Sequence, residues 1–155
     1  MNEVEANLTG DDAVVSKLIH LYGPRFASHG LEFVGVVLKK TVLSEQAFPS
    51  FHFQSQRTGL QVEISFSSAT KDLNGGFLVW IIKPVERLLN LEDYLKLHGR
   101  EELTKMFAYR DPATDVRNFA DSFLQMLCTL FDNDLKAILD GTTFEETPID
   151  WMGYK

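Results

Sequence analysis

The chain has 155 residues, 45% of them hydrophobic, with twelve phenylalanines and a formal net charge of −7. That length fits one domain with a core large enough to fold without a disulfide or metal staple. The single cysteine, Cys128, rules out a disulfide within the chain, and the acid excess argues against a nucleic-acid footprint.

The first ten residues read as a loose tail. Asp11 or Asp12 can cap a helix running through Val14, Val15, Leu18, Ile19 and Tyr22, which ends near Gly23-Pro24. Arg25 to Gly30 is a connection. Glu32 to Leu43 reads as a long first strand, bent or bulged where Gly35 falls inside it. Phe51 and Phe53 share one face of a second strand, with His52 and Gln54 on the other. Gln56-Arg57-Thr58-Gly59 is short enough for a hairpin turn into Leu60–Ser67, where apolar and polar residues alternate without an error. Asn74-Gly75-Gly76 favours another turn, and Phe77 to Ile82 is apolar on both faces, as expected of a central strand covered on both sides. Pro84 ends it.

Helices follow. Asn90 can cap one starting at Leu91, with Asp93 in the acceptor position of a weak capping box. Gly99 interrupts it, and Glu101 to Tyr109 supplies a short helical piece. From about Thr114 to Phe131, Val116, Phe119, Ala120, Phe123, Leu124, Leu127, Leu130 and Phe131 repeat at three- and four-residue spacing, one face of a helix. Asp132-Asn133-Asp134 restarts a shorter helix that stops at Gly141. The expected architecture is one α+β domain over residues 1–155: an N-terminal helix, a four-stranded, mainly antiparallel meander, then C-terminal helices packed on the sheet.

Charge is unevenly spread. Residues 13–90 carry eight basic and five acidic side chains, whereas residues 91–155 carry seven basic and thirteen acidic. Such an acidic half repels phosphate and anionic lipid and attracts a basic partner, or simply keeps the chain soluble. The longest strongly apolar stretch has six residues and cannot span a bilayer, and the acidic N-terminus lacks the pattern of a secretory signal. With the unpaired cysteine, this makes the cytoplasm the expected compartment.

Nothing in the chain has catalytic spacing. His20, His29, His52 and His98 are scattered and show no zinc-site pattern. Asp132-Asn133-Asp134 lacks the central glycine and terminal acid of a calcium loop. No serine sits in a Gly-x-Ser-x-Gly elbow, and Cys128 lies at the margin of an apolar helix face. The expectation is therefore a noncatalytic protein with no cofactor and no metal. Recognition remains: the acidic, aromatic tail 142–155 holds Glu145, Glu146, Asp150, Trp151 and Tyr154, whose residue types suit a contact surface. The alternative is that Ile149, Trp151 and Met152 fold back as the last piece of core.

A small acidic chain with a hairpin-rich sheet, C-terminal helices and a tail ending Asp150-Trp151-Met152-Gly153-Tyr154-Lys155 resembles the bacterial immunity proteins of toxin systems. The resemblance is one of layout across the whole chain. It implies a noncatalytic protein that neutralises a cognate toxin, often by presenting acids to a basic active-site cleft. Size, acidity and α+β makeup also resemble type III secretion chaperones, which dimerise and wrap an extended client but interleave a helix between strands; monomer and homodimer both stay open. A third reading is a small-ligand binder whose pocket would draw on Trp80, His52 and Tyr94.

Overall fold

The computed structural model of the chain describes residues 3–40, 47–68, 75–85, 87–109 and 115–148. Three short helices lead: α1 (Glu3–Ala6), α2 (Gly10–Leu21) and α3 (Gly23–Ala27). An antiparallel meander follows, made of β1 (Leu31–Lys39), β2 (Phe48–Ser55), β3 (Gln61–Ser67), β4 (Gly75–Lys83) and β5 (Arg87–Asn90). Then come α4 (Leu91–Leu97), a 3-10 helix (Glu101–Phe107), the two-residue strand β6 (Ala108–Tyr109), α5 (Val116–Asp132) and α6 (Lys136–Leu139). The class is α+β with an antiparallel sheet, as the sequence predicts, but the sheet has six strands where four are expected.

The two extra strands share one edge of β4. β5 pairs with Trp80–Lys83, and β6 pairs with Gly75 and Gly76 at the other end of the same strand. The Gly-Gly dipeptide expected to turn the chain is thus inside a strand. At Gly76 φ is +142°, and a Cβ there would meet the Phe107 carbonyl oxygen at 2.0 Å, so only glycine lets β6 approach. The bulge expected at Gly35 is present: pairing slips between Phe33 and Gly35, leaving Val34 out of register.

One face of the sheet is the core face. Val36, Phe51, Ile64 and Val79 line up across four strands, and Phe53, Val62, Ile81 and Leu89 form the next row; all are buried. Alternation along each strand places these side chains on the same side, against the helices. Phe123 of α5 stacks on Phe77 with ring centroids 4.1 Å apart, and Phe26 of α3 meets both Phe53 and Phe131 edge-on. α2 packs beside α5, where the Tyr22 hydroxyl donates to Asp121 Oδ1 at 2.6 Å.

The opposite face carries the other alternation: Gly35, His52, Glu63 and Trp80 in one row, Val37, Ser50, Ser65 and Leu78 in the next. The expectation that β4 is covered on both sides is corrected here. Phe77, Val79 and Ile81 are buried, but Trp80 and Ile82 are only half-buried and Leu78 is 37% exposed. The apolar run reflects a large side chain at each outward position, with no second helical layer over them among the described residues.

Two N-terminal expectations also change. α2 is capped by Thr9 without a side-chain hydrogen bond, and Asp11 and Asp12 lie inside its first turn, where they complement the helix dipole. The segment expected to be loose contains α1, and Glu5 is buried: its Oε1 accepts from the Ser16 hydroxyl at 3.2 Å and pairs with His20 Nε2. The Asn90 cap is as expected, with its side-chain oxygen accepting from the Asp93 N–H at 3.1 Å.

Candidate functional site

The acidic half of the chain is tied to the rest by charge. Asp132, at the C-terminal end of α5, receives His29 Nε2 at 2.7 Å and Arg25 Nη2 at 3.2 Å. These bonds, His29 first, hold its carboxyl below the usual range. Asp134 pairs with Arg100, which also bonds Glu102 at 3.2 Å. Glu145 pairs with His98, and Glu146 receives Arg87 Nε at 3.0 Å. Each of the four histidines faces a carboxylate: His20 faces Glu5, His29 Asp132, His52 Glu63 and His98 Glu145. Long-range pairing of this kind has no signature in sequence spacing.

Residues 143–148 run as an extended strap along β5. The Thr147 N–H donates to the Leu88 carbonyl at 3.0 Å, and its hydroxyl accepts from the Asn90 N–H at 2.8 Å, leaving Thr147 buried. Two cations lie over the Phe144 ring, with Arg87 5.1 Å and Lys83 6.0 Å from its centroid. Of the five residues expected to contact a partner, Glu145 and Glu146 therefore sit on this strap in ion pairs of their own. Asp150, Trp151 and Tyr154 lie outside the described residues, as do Ile149 and Met152.

The strap borders a ledge made by α4 and the 3-10 helix. Leu91, Tyr94 and Leu95 anchor α4 by its buried face, at helical spacing. Its outer side ends in Leu97, which is 61% exposed, one turn after Asp93. Glu101 and Glu102 open the 3-10 helix immediately beyond and are exposed. Burial raises the Glu92 carboxyl, which Lys96 partly offsets. Glu145 pairs with His98, the residue that follows Leu97. An exposed apolar side chain thus sits on a stretch of chain in which acids outnumber bases, Glu92, Asp93, Glu101 and Glu102 against Lys96 and Arg100.

The residues named for a small-molecule pocket do not assemble into one. His52 and Trp80 flank Glu63 in one row of the outer sheet face, while Tyr94 is buried in the core and stacks on His98 at 4.2 Å. Burial holds His52 below its ordinary value, against the pull of Glu63 at 3.5 Å. Its Nε2 is buried without a hydrogen-bond partner. Lys39 meets the other oxygen of Glu63 at 2.8 Å. Sequence reading missed this cluster, although alternation places Lys39, His52 and Glu63 on the same face once register is known.

Other reactive types are restrained. Burial pushes the Cys128 thiol up to about 11, so it stays protonated at neutral pH. The Ser16 hydroxyl donates to the Glu5 oxygen that His20 also contacts, and both Ser16 and Glu5 are buried. Among the described residues no three His, Cys, Asp or Glu side chains are grouped to hold a metal ion, and no helix is long and apolar enough to cross a membrane. What the chain defines at this level is a helix-backed antiparallel sheet with an exposed, acid-rich ledge of α4 and the 3-10 helix. No protein family, curated protein or solved structure matches it.

Proposed function

We propose that this chain is a noncatalytic protein-binding domain whose contact surface is the ledge of α4 and the 3-10 helix. The observation that carries the reading is Leu97, exposed at the end of α4 on a segment, 91–102, that carries four acids against Lys96 and Arg100. An exposed apolar anchor supplies affinity by desolvation, and an acid excess supplies steering and selectivity for a basic surface. The partner class this fits is a protein with a basic cleft, and the immunity-type reading is its narrower form: the ledge occludes the cleft of a cognate toxin.

The test is affinity capture of the tagged chain beside its Leu97→Asp and Glu101→Lys variants, each matched to the native protein in melting temperature. A stoichiometric partner recovered with the native chain and lost with Leu97→Asp is expected. Glu101→Lys should chiefly slow association, and the difference should shrink as salt is raised. Equal recovery by all three would remove the ledge as the binding surface. Recovery of a toxin whose activity the chain suppresses would support the narrower reading, and a partner with no toxic activity would overturn it.

A further inference from the structure

At the end of the sheet remote from β6, the turn between β2 and β3 approaches the chain just after α6. The two segments abut closely: a Cβ on Gly141, where φ is +83°, would come within 3.0 Å of the Thr58 methyl carbon. Between them and the end of β4 lies a cleft of about 350 Å³, at the small end of the range for compact ligands. Buried Leu60 and Ile138 contribute apolar wall, and Arg57, Lys83, Thr58 and Thr143 add polar groups.

The charge in this cleft is out of keeping with the chain. Lys83 and Arg87 stand directly opposite each other on β4 and β5, a like-charge pair that costs stability on a sheet. Glu146 neutralises Arg87, whereas Lys83 has no carboxylate within ion-pair distance among the described residues. Arg57 gives one Nη1 hydrogen bond to the Asp140 backbone oxygen at 3.1 Å, while the Asp140 carboxylate stands at the limit of an ion pair, 4.0 Å from Nη2. The Thr58 hydroxyl oxygen accepts from the Leu60 N–H at 3.2 Å, so its proton is directed elsewhere. Two cations against one loosely held acid leave the cleft net positive in a chain of net charge −7.

We propose that this cleft is a binding site for a small oxyanion carried on a compact apolar body. Lys83 and Arg57 take the charged oxygens, the Thr58 hydroxyl donates to them, and Leu60 and Ile138 receive the apolar part. Asp140 opposes the ligand's charge. The site is separate from the ledge, so either proposal can fail without the other.

Calorimetric titration at low salt decides it, with phenyl phosphate and benzoate as the two oxyanion probes, and inorganic phosphate and benzyl alcohol as probes lacking one feature each. At least one of the first two should bind, and more tightly than both of the others. The tighter of the pair identifies a phosphate or a carboxylate as the preferred group. Lys83→Gln should weaken binding about tenfold, the scale of one charge lost near a surface. Asp140→Asn should strengthen it several-fold, because the backbone bond from Arg57 survives that change. No binding by either oxyanion, equal binding of inorganic phosphate, an unchanged affinity in Lys83→Gln or a weakened one in Asp140→Asn would each overturn the proposal. The opposite signs expected of the two variants separate a charge effect from misfolding, which would weaken both.

Discussion

Gly76 shows how little room a single position can leave. With the Phe107 carbonyl oxygen 2.0 Å from where a Cβ would sit, Gly76→Ala must push β6 off the edge of β4. We expect a loss of about 3 kcal/mol in chemical denaturation, in the range of substitutions that force backbone strain. Gly59 bears a positive φ of 76° but has open space around it, so Gly59→Ala should cost only about 1 kcal/mol. Cys128 is limited in another way. With its thiol pushed up to about 11, roughly one part in a thousand is thiolate at pH 8. An aromatic disulfide reagent should therefore modify it only on the timescale of unfolding, and rapid reaction in the native state would show that α5 opens locally.

Elements differ in how plainly the sequence announces them. α5 and the Asn90 cap of α4 are legible because helical spacing and a capping side chain act within a few residues. β2 and β3 are legible because alternation and a short turn fix them locally. β5 is not: Arg87-Leu88-Leu89-Asn90 has no alternation, and it is a strand because β4 offers an edge on one side and the strap lies on the other. β6 is two residues long and exists only through tertiary contact. The strap shows the same dependence. Its two backbone-level bonds at Thr147 tie it to β5, so Thr147→Val should cost about 1 kcal/mol through the lost hydroxyl acceptor. Amide exchange should accelerate over residues 143–148 while α5 stays protected; unchanged exchange there would mean the ion pairs of Glu145 and Glu146 hold the strap alone. Those pairs lie at sequence separations of 47 and 59 residues, beyond the reach of any local pattern.

Taken whole, the molecule is closed by contacts between distant parts of one chain, and its response to pH follows. His52 is held below its ordinary 6.5 by burial, so the unfolded chain binds a proton more readily. Stability should be complete above pH 6.5 and fall as pH drops through that value toward the lower native one. Asp132, held below its ordinary 3.8 by His29 and Arg25, adds stability above 3.8 that disappears as pH falls through its native value. Denaturation midpoints measured against pH should thus decline in two windows, with His52→Gln removing the upper and Asp132→Asn the lower; a single decline unaffected by His52→Gln would contradict this. The same long reach governs how the chain must be made. The five strands of the meander are complete at Asn90, yet α5, whose Phe123 stacks on Phe77 of the core face, ends at Asp132. At roughly 5–20 residues per second, synthesis of that stretch takes about 2–8 s. For those seconds α2 and α3 can cover only part of the nascent sheet, and Phe77, on which Phe123 of α5 stacks, stands bare to neighbouring chains.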